Sequence, residues 1–212
     1  MNEIIPNIYS INTLLNDKPS QTSFLIVRPE GNILFGTSGN ISEYINQIKE
    51  LGPVLGIYLG DRHHGKGDIL STAKNLNAPI YSSKIEAKVL NKNGIIVDDI
   101  IKYEQHHLYE DLEVIPTPGH TPGALSYLWK SGEYKVLFIG DTVVPIDNEW
   151  EIWVNKPNRG KMIETMELLK TLDFNYLAVN SFAVTGDKVI QLTSMKKLDL
   201  IDSVINKVAD TK

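Results

Sequence analysis

The sequence contains no cysteine, and this absence removes several kinds of chemistry at once. Disulfide bonds, thiolate metal sites and cysteine nucleophiles are all excluded. Any transition-metal site in this chain must therefore be built from histidine and carboxylate side chains. The chain has 5 histidines and 26 acidic residues from which such a site can be made.

Basic residues and long apolar runs are also scarce. The 21 lysines and arginines are outnumbered by 26 aspartates and glutamates, so the net charge is −5. A mildly acidic chain without a basic stripe argues against binding to nucleic acid or to an anionic membrane. No apolar run approaches the roughly 18 residues that a membrane span needs, and residues 1–6 lack the features of a signal peptide. We therefore expect a soluble, cytoplasmic protein.

The pattern of the remaining residues is that of an ordinary globular protein, since 42% are hydrophobic and 22% are charged. Residues 29–32 predict a hairpin turn between two short strands. Residues 54–59 predict a buried strand, and the last apolar-periodic segment predicts an amphipathic helix. Strand and helix signals alternate in both halves, which is typical of a layered α/β sandwich. Because no linker interrupts the pattern, we predict one domain over residues 1–212.

Three polar segments each follow a predicted strand directly, which is where loops gather ligands. They are residues 61–64 (DRHH), residues 117–123 (TPGHTPG) and residues 140–142 (GDT). Two histidines and two aspartates from separate strand ends predict a site for one divalent cation. Zinc accepts four such ligands, and the carboxylates would also admit manganese or iron.

On these motifs the chain resembles the metallo-β-lactamase superfamily. The string at residues 117–123 is intact, and Asp141, about twenty residues further on, is similar to the aspartate that bridges two metals in that superfamily. The resemblance runs from residues 22–26 to residues 178–181. It implies an αββα four-layer sandwich with the site between two sheet edges. It also implies a hydrolase that acts on an ester, thioester, lactam or phosphoester.

The chain departs from the superfamily's leading motif, which is His-x-His-x-Asp-His. The corresponding residues here are Asp61, His63, Gly65 and Lys66. The Asp-His pair that holds a second metal is thus replaced by Gly65 and Lys66. The superfamily's last histidine ligand corresponds to Ser181. These differences fall mainly on one of the two metal positions.

The resemblance therefore implies a reduced, mononuclear site. Asp61, His63, His120 and Asp141 are expected to hold one divalent ion, with zinc favoured over manganese or iron. A hydroxide on that metal would attack the carbonyl or phosphoryl centre of the substrate. Lys66 and Asp141 are the predicted catalytic residues, with the Lys66 ammonium placed near the position of the absent second cation.

A metal-free interpretation stays open beside this one. In it the protein is an inactive binding protein on the same fold. Lys66 or Arg62 would then neutralise Asp61 and Asp141 in place of a metal ion.

Three further features have two interpretations each. His64 either replaces His63 as the ligand, if the motif alignment shifts by one residue, or is an exposed loop residue. Asp68 is interpreted as the N-cap of a helix rather than as a ligand. Trp150 and Trp153 either line a substrate wall, as the resemblance implies, or make a core or dimer contact. The expected partner is a small-molecule substrate of unknown identity, and a homodimer stays open.

Overall fold

The computed structural model describes residues 1–15, 18–19, 21–36, 39–147, 149–184 and 186–210. The chain divides into two compact units. The first is Met1–Lys102 with Asn180–Phe182, and the second is Tyr103–Val179 with Ala183–Lys212. One domain over residues 1–212 stays a prediction. No helix in the described ranges is both long enough and apolar enough to span a bilayer.

The first unit is built on a large mixed sheet with three α-helices. Its strands are β1 (Asn2–Ile5), β2 (Ile8–Ile11), β3 (Leu14–Leu15), β4 (Lys18–Pro19), β5 (Ser23–Ile26), β6 (Asn32–Phe35), β7 (Val54–Tyr58), β8 (Ile80–Ser83) and β9 (Asp99–Ile101). Its helices are α1 (Ile45–Glu50), which follows a 3-10 turn (Ile41–Tyr44), α2 (Ile69–Leu76) and α3 (Lys84–Lys92). The sheet order is β1-β2-β5-β6-β7-β8-β9, and β3 pairs with β4.

The direction of the strands in this sheet decides where its loops gather. The antiparallel hairpin β5–β6 confirms the turn predicted at residues 29–32. From β6 to β9 the pairing is parallel. Parallel strands bring their carboxyl ends to the same edge, where polar loops meet. The loop that follows β7 therefore leaves the sheet at this edge.

The second unit is built on a six-stranded sheet and two α-helices. Its strands are β10 (His106–Tyr109), β11 (Leu112–Pro116), β12 (Leu125–Ser131), β13 (Tyr134–Phe138), β14 (Val144–Ile146), β15 (Glu149–Glu151), β16 (Tyr176–Ala178) and β17 (Val189–Gln191). Its helices are α4 (Arg159–Thr171), preceded by a 3-10 turn (Lys156–Asn158), and α5 (Ser194–Asp210). The sheet order is β10-β11-β12-β13-β16-β17, and β14 pairs with β15.

Each unit buries its own apolar core between the sheet and the helices. In the first unit, Ile57 of the sheet is completely buried in one cluster with Ile48 of α1 and Leu90 of α3. In the second unit, Leu137 of the sheet shares a cluster with Met166 of α4 and other helix residues. The amphipathic helix predicted for the last apolar-periodic segment is confirmed as α5, because its apolar stripe faces this core.

Asp68 lies at the N-cap of α2, as the sequence predicts, but its carboxylate does not cap that helix. The two oxygens accept the backbone N–H groups of Ile41 and Ser42, at 3.2 and 2.9 Å, which start the preceding 3-10 turn. One oxygen also accepts the hydroxyl of Thr72 at 3.1 Å. Asp68 therefore ties the start of α2 to the 3-10 turn before α1.

Candidate metal centre

The first two predicted ligands lie on the loop of residues 60–67, called the ligand loop below. Asp61 is 2% exposed, and its Oδ1 accepts the backbone N–H of His63 at 2.7 Å. The same oxygen lies 3.4 Å from Nδ1 of the His63 ring. The short turn between the two residues thus places an imidazole next to a buried carboxylate.

The neighbouring histidine, His64, stabilises the ligand loop. His64 is 3% exposed, and its Nδ1 accepts the backbone N–H of Gly60 at 3.1 Å. This bond closes the loop, and the interpretation of His64 as an exposed loop residue is wrong because its side chain is buried. His63 is half-buried, so it has the exposure that a ligand at the mouth of a site needs.

The third predicted ligand, His120, lies on a turn that is fixed at both ends. The backbone N–H of Thr117 donates to the carbonyl of Ala124 at 2.9 Å. The hydroxyl of Thr165, on α4, donates to the carbonyl of Pro118 at 2.7 Å. Gly119 lies so close to α4 that a Cβ there would be 2.8 Å from the Cε of Met162. Pro118 and Gly119 therefore hold the turn that carries His120 against α4.

A backbone carbonyl selects the proton position of His120. The Nδ1 of His120 lies 2.8 Å from the carbonyl oxygen of Trp153. A carbonyl only accepts, so Nδ1 carries the proton and Nε2 keeps its lone pair for a ligand. Histidine ligands of metals are oriented in the same way by their second nitrogen. The pattern of the sequence did not predict this contact, because it joins residues 33 apart.

The two tryptophans considered together in the sequence have different surroundings. Trp150 is partly buried and packs against the core of the second unit. Trp153 is 41% exposed, and its ring meets the His120 ring edge to face with centroids 6.4 Å apart. Trp150 thus makes a core contact, whereas Trp153 adjoins a predicted ligand.

The fourth predicted ligand, Asp141, is the third residue after the end of β13. The backbone N–H of Ile139 extends the sheet by donating to Ala178 of β16 at 3.0 Å. The chain then turns at Gly140, and Asp141 is 4% exposed. A buried carboxylate at the end of a strand is the kind of group that is retained to bind a cation.

Each unit brings two of the four predicted ligands together. In the first unit a ligand atom of Asp61 lies within 4.8 Å of one of His63, and in the second unit a ligand atom of His120 lies within 4.8 Å of one of Asp141. Two imidazole nitrogens and two carboxylate oxygens form a donor set that suits zinc, manganese or iron. The residues present therefore fit a divalent cation.

Both predicted counter-charges of the metal-free interpretation lie in the first unit, where their surroundings differ. Arg62 donates from Nε and Nη2 to the carboxylate of Glu86, at 2.6 and 2.9 Å. These hydrogen bonds raise the pKa of Arg62 above its ordinary value, and the charge of Asp61 adds to the shift. Lys66 is exposed, and within the described part of the chain it forms no ion pair.

Gly65 occupies the position at which the resemblance implies an aspartate for a second metal. A Cβ there would lie 3.2 Å from a methyl group of Ile95, 3.2 Å from one of Leu59 and 3.3 Å from one of Leu90. A side chain on this residue would thus enter an apolar environment. That environment opposes a carboxylate ligand at residue 65.

We expect Gly65→Asp to lower the free energy of unfolding by about 3 kcal/mol, because it buries a carboxylate among apolar side chains. Gly65→Ala is the matched control, since it adds only the Cβ and should cost about 1 kcal/mol. Urea unfolding of the three proteins measures both values. A Gly65→Asp protein as stable as Gly65→Ala would show that the carboxylate finds a polar partner and that our description of this environment is wrong.

Comparison with known proteins identifies the fold. No protein-family model matches the chain. The hydroxyacylglutathione hydrolase of Bartonella tribocorum is 32% identical over 90 residues, which are 41% of this chain and 33% of that protein. The match thus spans about a third of the length of that relative.

Solved structures match over nearly the whole chain. The metallo-β-lactamase GOB-18 from Elizabethkingia meningoseptica has a TM-score of 0.68 at 19% identity and covers 99% of this chain and 90% of its own. A β-lactamase from Chitinophaga pinensis has a TM-score of 0.69 at 18% identity, with coverages of 98% and 91%. The DIM-1 metallo-β-lactamase, exposed to ceftazidime, has a TM-score of 0.73 at 14% identity, with coverages of 96% and 96%.

This chain has the metallo-β-lactamase fold. The αββα sandwich predicted through the resemblance is confirmed by these neighbours. Identities of 14–19% carry the fold and nothing finer.

Proposed function

We propose that this protein is a metal-dependent hydrolase with one divalent cation, most simply zinc, held by Asp61, His63, His120 and Asp141. The observation that carries the proposal is the pairing, in each unit, of an imidazole with a buried carboxylate whose ligand atoms lie within 4.8 Å of each other. The fold of the neighbours supports it, and so does the partial match to a hydroxyacylglutathione hydrolase.

Two features of the ligand loop favour one cation over two. Gly65 has an apolar environment where a second carboxylate ligand would be needed. Lys66 is an ammonium at the next position, and a cation is a poor neighbour for a second metal ion.

The chemistry follows from the donor set. A bound divalent cation polarises a carbonyl or phosphoryl oxygen and lowers the pKa of a water that it binds. The buried carboxylates of Asp61 and Asp141 supply the negative charge that holds the cation. The carbonyl of Trp153 keeps the proton of His120 on Nδ1, so that Nε2 stays a ligand. We assign to Lys66 the stabilisation of negative charge that develops on the substrate.

An activity screen tests this function. The zinc-loaded protein is assayed for hydrolysis of chromogenic esters, thioesters, phosphodiesters and a chromogenic β-lactam, with and without chelator. We expect turnover of at least one class, loss of it with chelator and recovery with added zinc. Asp141→Asn should lower kcat/KM more than about 100-fold, because even the loss of an outer-shell partner costs 10–100-fold.

Lys66→Gln separates chemistry from metal binding in the same screen. It should lower kcat while the metal content stays that of the parent protein, because Lys66 is not a ligand. Turnover that survives both chelator and Asp141→Asn would contradict a metal-dependent hydrolase. The small-molecule substrate, a cytoplasmic location and a homodimer stay predictions from the sequence.

A further inference from the structure

A glutamate outside the ligand loop holds that loop through its backbone. Glu86 lies in the first turn of α3 and is completely buried. Its Oε2 accepts the backbone N–H of Arg62 at 3.1 Å, in addition to the two bonds from the Arg62 guanidinium. Three charge-assisted hydrogen bonds from one residue are stronger and more directional than neutral ones.

The sequence around Glu86 explains why a carboxylate is stable there. Ser83 is the N-cap of α3, and its Oγ accepts the backbone N–H of Glu86 at 3.2 Å. The pattern Ser-x-x-Glu at 83–86 is that of a capping box. The glutamate of a capping box normally reaches back to the N-cap N–H. The carboxylate of Glu86 accepts the hydrogen bonds from Arg62, and the positive end of the helix favours its charge.

Arg62 stands between the two ligands of the loop. Asp61 precedes it and His63 follows it, and Asp61 Oδ1 accepts the N–H of His63 at 2.7 Å. Fixing the N–H of Arg62 fixes the peptide plane that joins it to Asp61. The two hydrogen bonds from the Arg62 guanidinium to the Glu86 carboxylate then fix the direction in which the Arg62 side chain leaves the loop. The directions of Asp61 and His63 follow from that backbone.

We infer that Glu86 is a positioning residue for the metal centre: it holds the backbone of Arg62 so that Asp61 and His63 are already directed at a cation before one binds. The inference rests on the proposed function, because it assigns a purpose to a bond network next to the proposed ligands. Preorganised ligands bind more tightly than mobile ones, since less order is lost on binding.

Zinc affinity is the measurement that tests this inference, by competition of the metal-free protein with a chromophoric chelator. Glu86→Gln keeps the shape of the side chain but removes its charge. We expect it to weaken zinc binding about 10–100-fold, as outer-shell substitutions do. Arg62→Lys keeps the charge but loses the fork, so its affinity should lie between that of Glu86→Gln and the parent protein. It also serves as the second variant if Glu86→Gln does not fold.

Ser83→Ala is the matched control. It removes the cap of α3 and lowers stability, but it leaves the Glu86 carboxylate and Arg62 in place. We expect its zinc affinity to equal that of the parent protein. Equal weakening in Ser83→Ala and Glu86→Gln would assign the effect to the stability of α3 and overturn the inference.

Amide hydrogen exchange of the metal-free proteins keeps the two proposals apart. The backbone N–H groups of Arg62 and His63 should exchange faster in Glu86→Gln than in the parent protein or in Ser83→Ala. If the parent protein, Glu86→Gln and Arg62→Lys all bind zinc equally tightly, the inference is overturned and the proposed function still stands. A parent protein that binds no zinc would overturn the function, and the exchange rates would then decide whether Glu86 orders the loop.

Discussion

A His63→Ala/His120→Ala double variant is expected to contain no bound metal, whereas the parent protein purified without affinity tag or chelator should contain about one equivalent. The two imidazoles are the nitrogen half of the donor set, and two carboxylates alone make a weak zinc site. Elemental analysis of both proteins, before and after incubation with zinc, manganese and iron, measures the difference.

The same pair of proteins gives a second readout in thermal melts. A ligand that binds only the folded state stabilises it by about 2.7 kcal/mol at a free concentration of 100 times Kd. Chelator should therefore lower the Tm of the parent protein and leave that of the double variant unchanged. His106→Ala/His107→Ala is the control, because it removes two histidines from β10, outside the four-residue group. It should keep its metal and its response to chelator.

Two results of these metal measurements would contradict the proposed metal centre. A parent protein that takes up none of the three ions would rule out the proposed metal centre. Metal retained by the double variant would place the site elsewhere in the chain.

Gly67→Ala should be the most damaging single change at the end of the ligand loop. Gly67 has a φ of +74°, and a Cβ there would overlap the backbone of Gly39. The left-handed backbone alone costs an alanine about 1–2 kcal/mol. The overlap adds to this because a hydrogen bond from the N–H of Asp68 to the carbonyl of Gly39, at 3.3 Å, holds the two backbones together. We expect a total loss of at least about 3 kcal/mol.

Gly94→Ala separates these two causes. Gly94 has a φ of +84°, and nothing lies within 4 Å of a Cβ built on it. It should cost only the backbone strain, about 1–2 kcal/mol. Urea unfolding of both variants gives the comparison. Equal losses would show that the contact with Gly39 does not restrain the ligand loop.

Much of the fold could be predicted from the sequence because its signals are local. Apolar alternation and turn residues predicted the β5–β6 hairpin, and helical spacing predicted α5. Helix α3 was missed, although Ser83 and Glu86 carry the signature of its N-terminus. Its exposed face is rich in lysine, so the apolar pattern over residues 84–92 is weak.

The candidate site also could be predicted only where its signals are local. The candidate ligands could be found because each follows a strand within a few residues. The contacts that orient them join distant positions, such as His120 with Trp153 and Arg62 with Glu86. Spacing along a chain carries no signal for such pairs. The N-cap position predicted for Asp68 is correct. Its carboxylate, however, accepts hydrogen bonds from the 3-10 turn before α1, which is another contact between distant positions.

The bonds that shape both ligand-bearing loops have a consequence for substitutions at the ligands. Glu86 holds one loop and Thr165 holds the other, and neither residue belongs to the four predicted ligands. The shape of each loop therefore does not depend on which side chain stands at the ligand position. A ligand can then be exchanged for another type, such as Asp61 for histidine, without loss of the bonds that hold its loop.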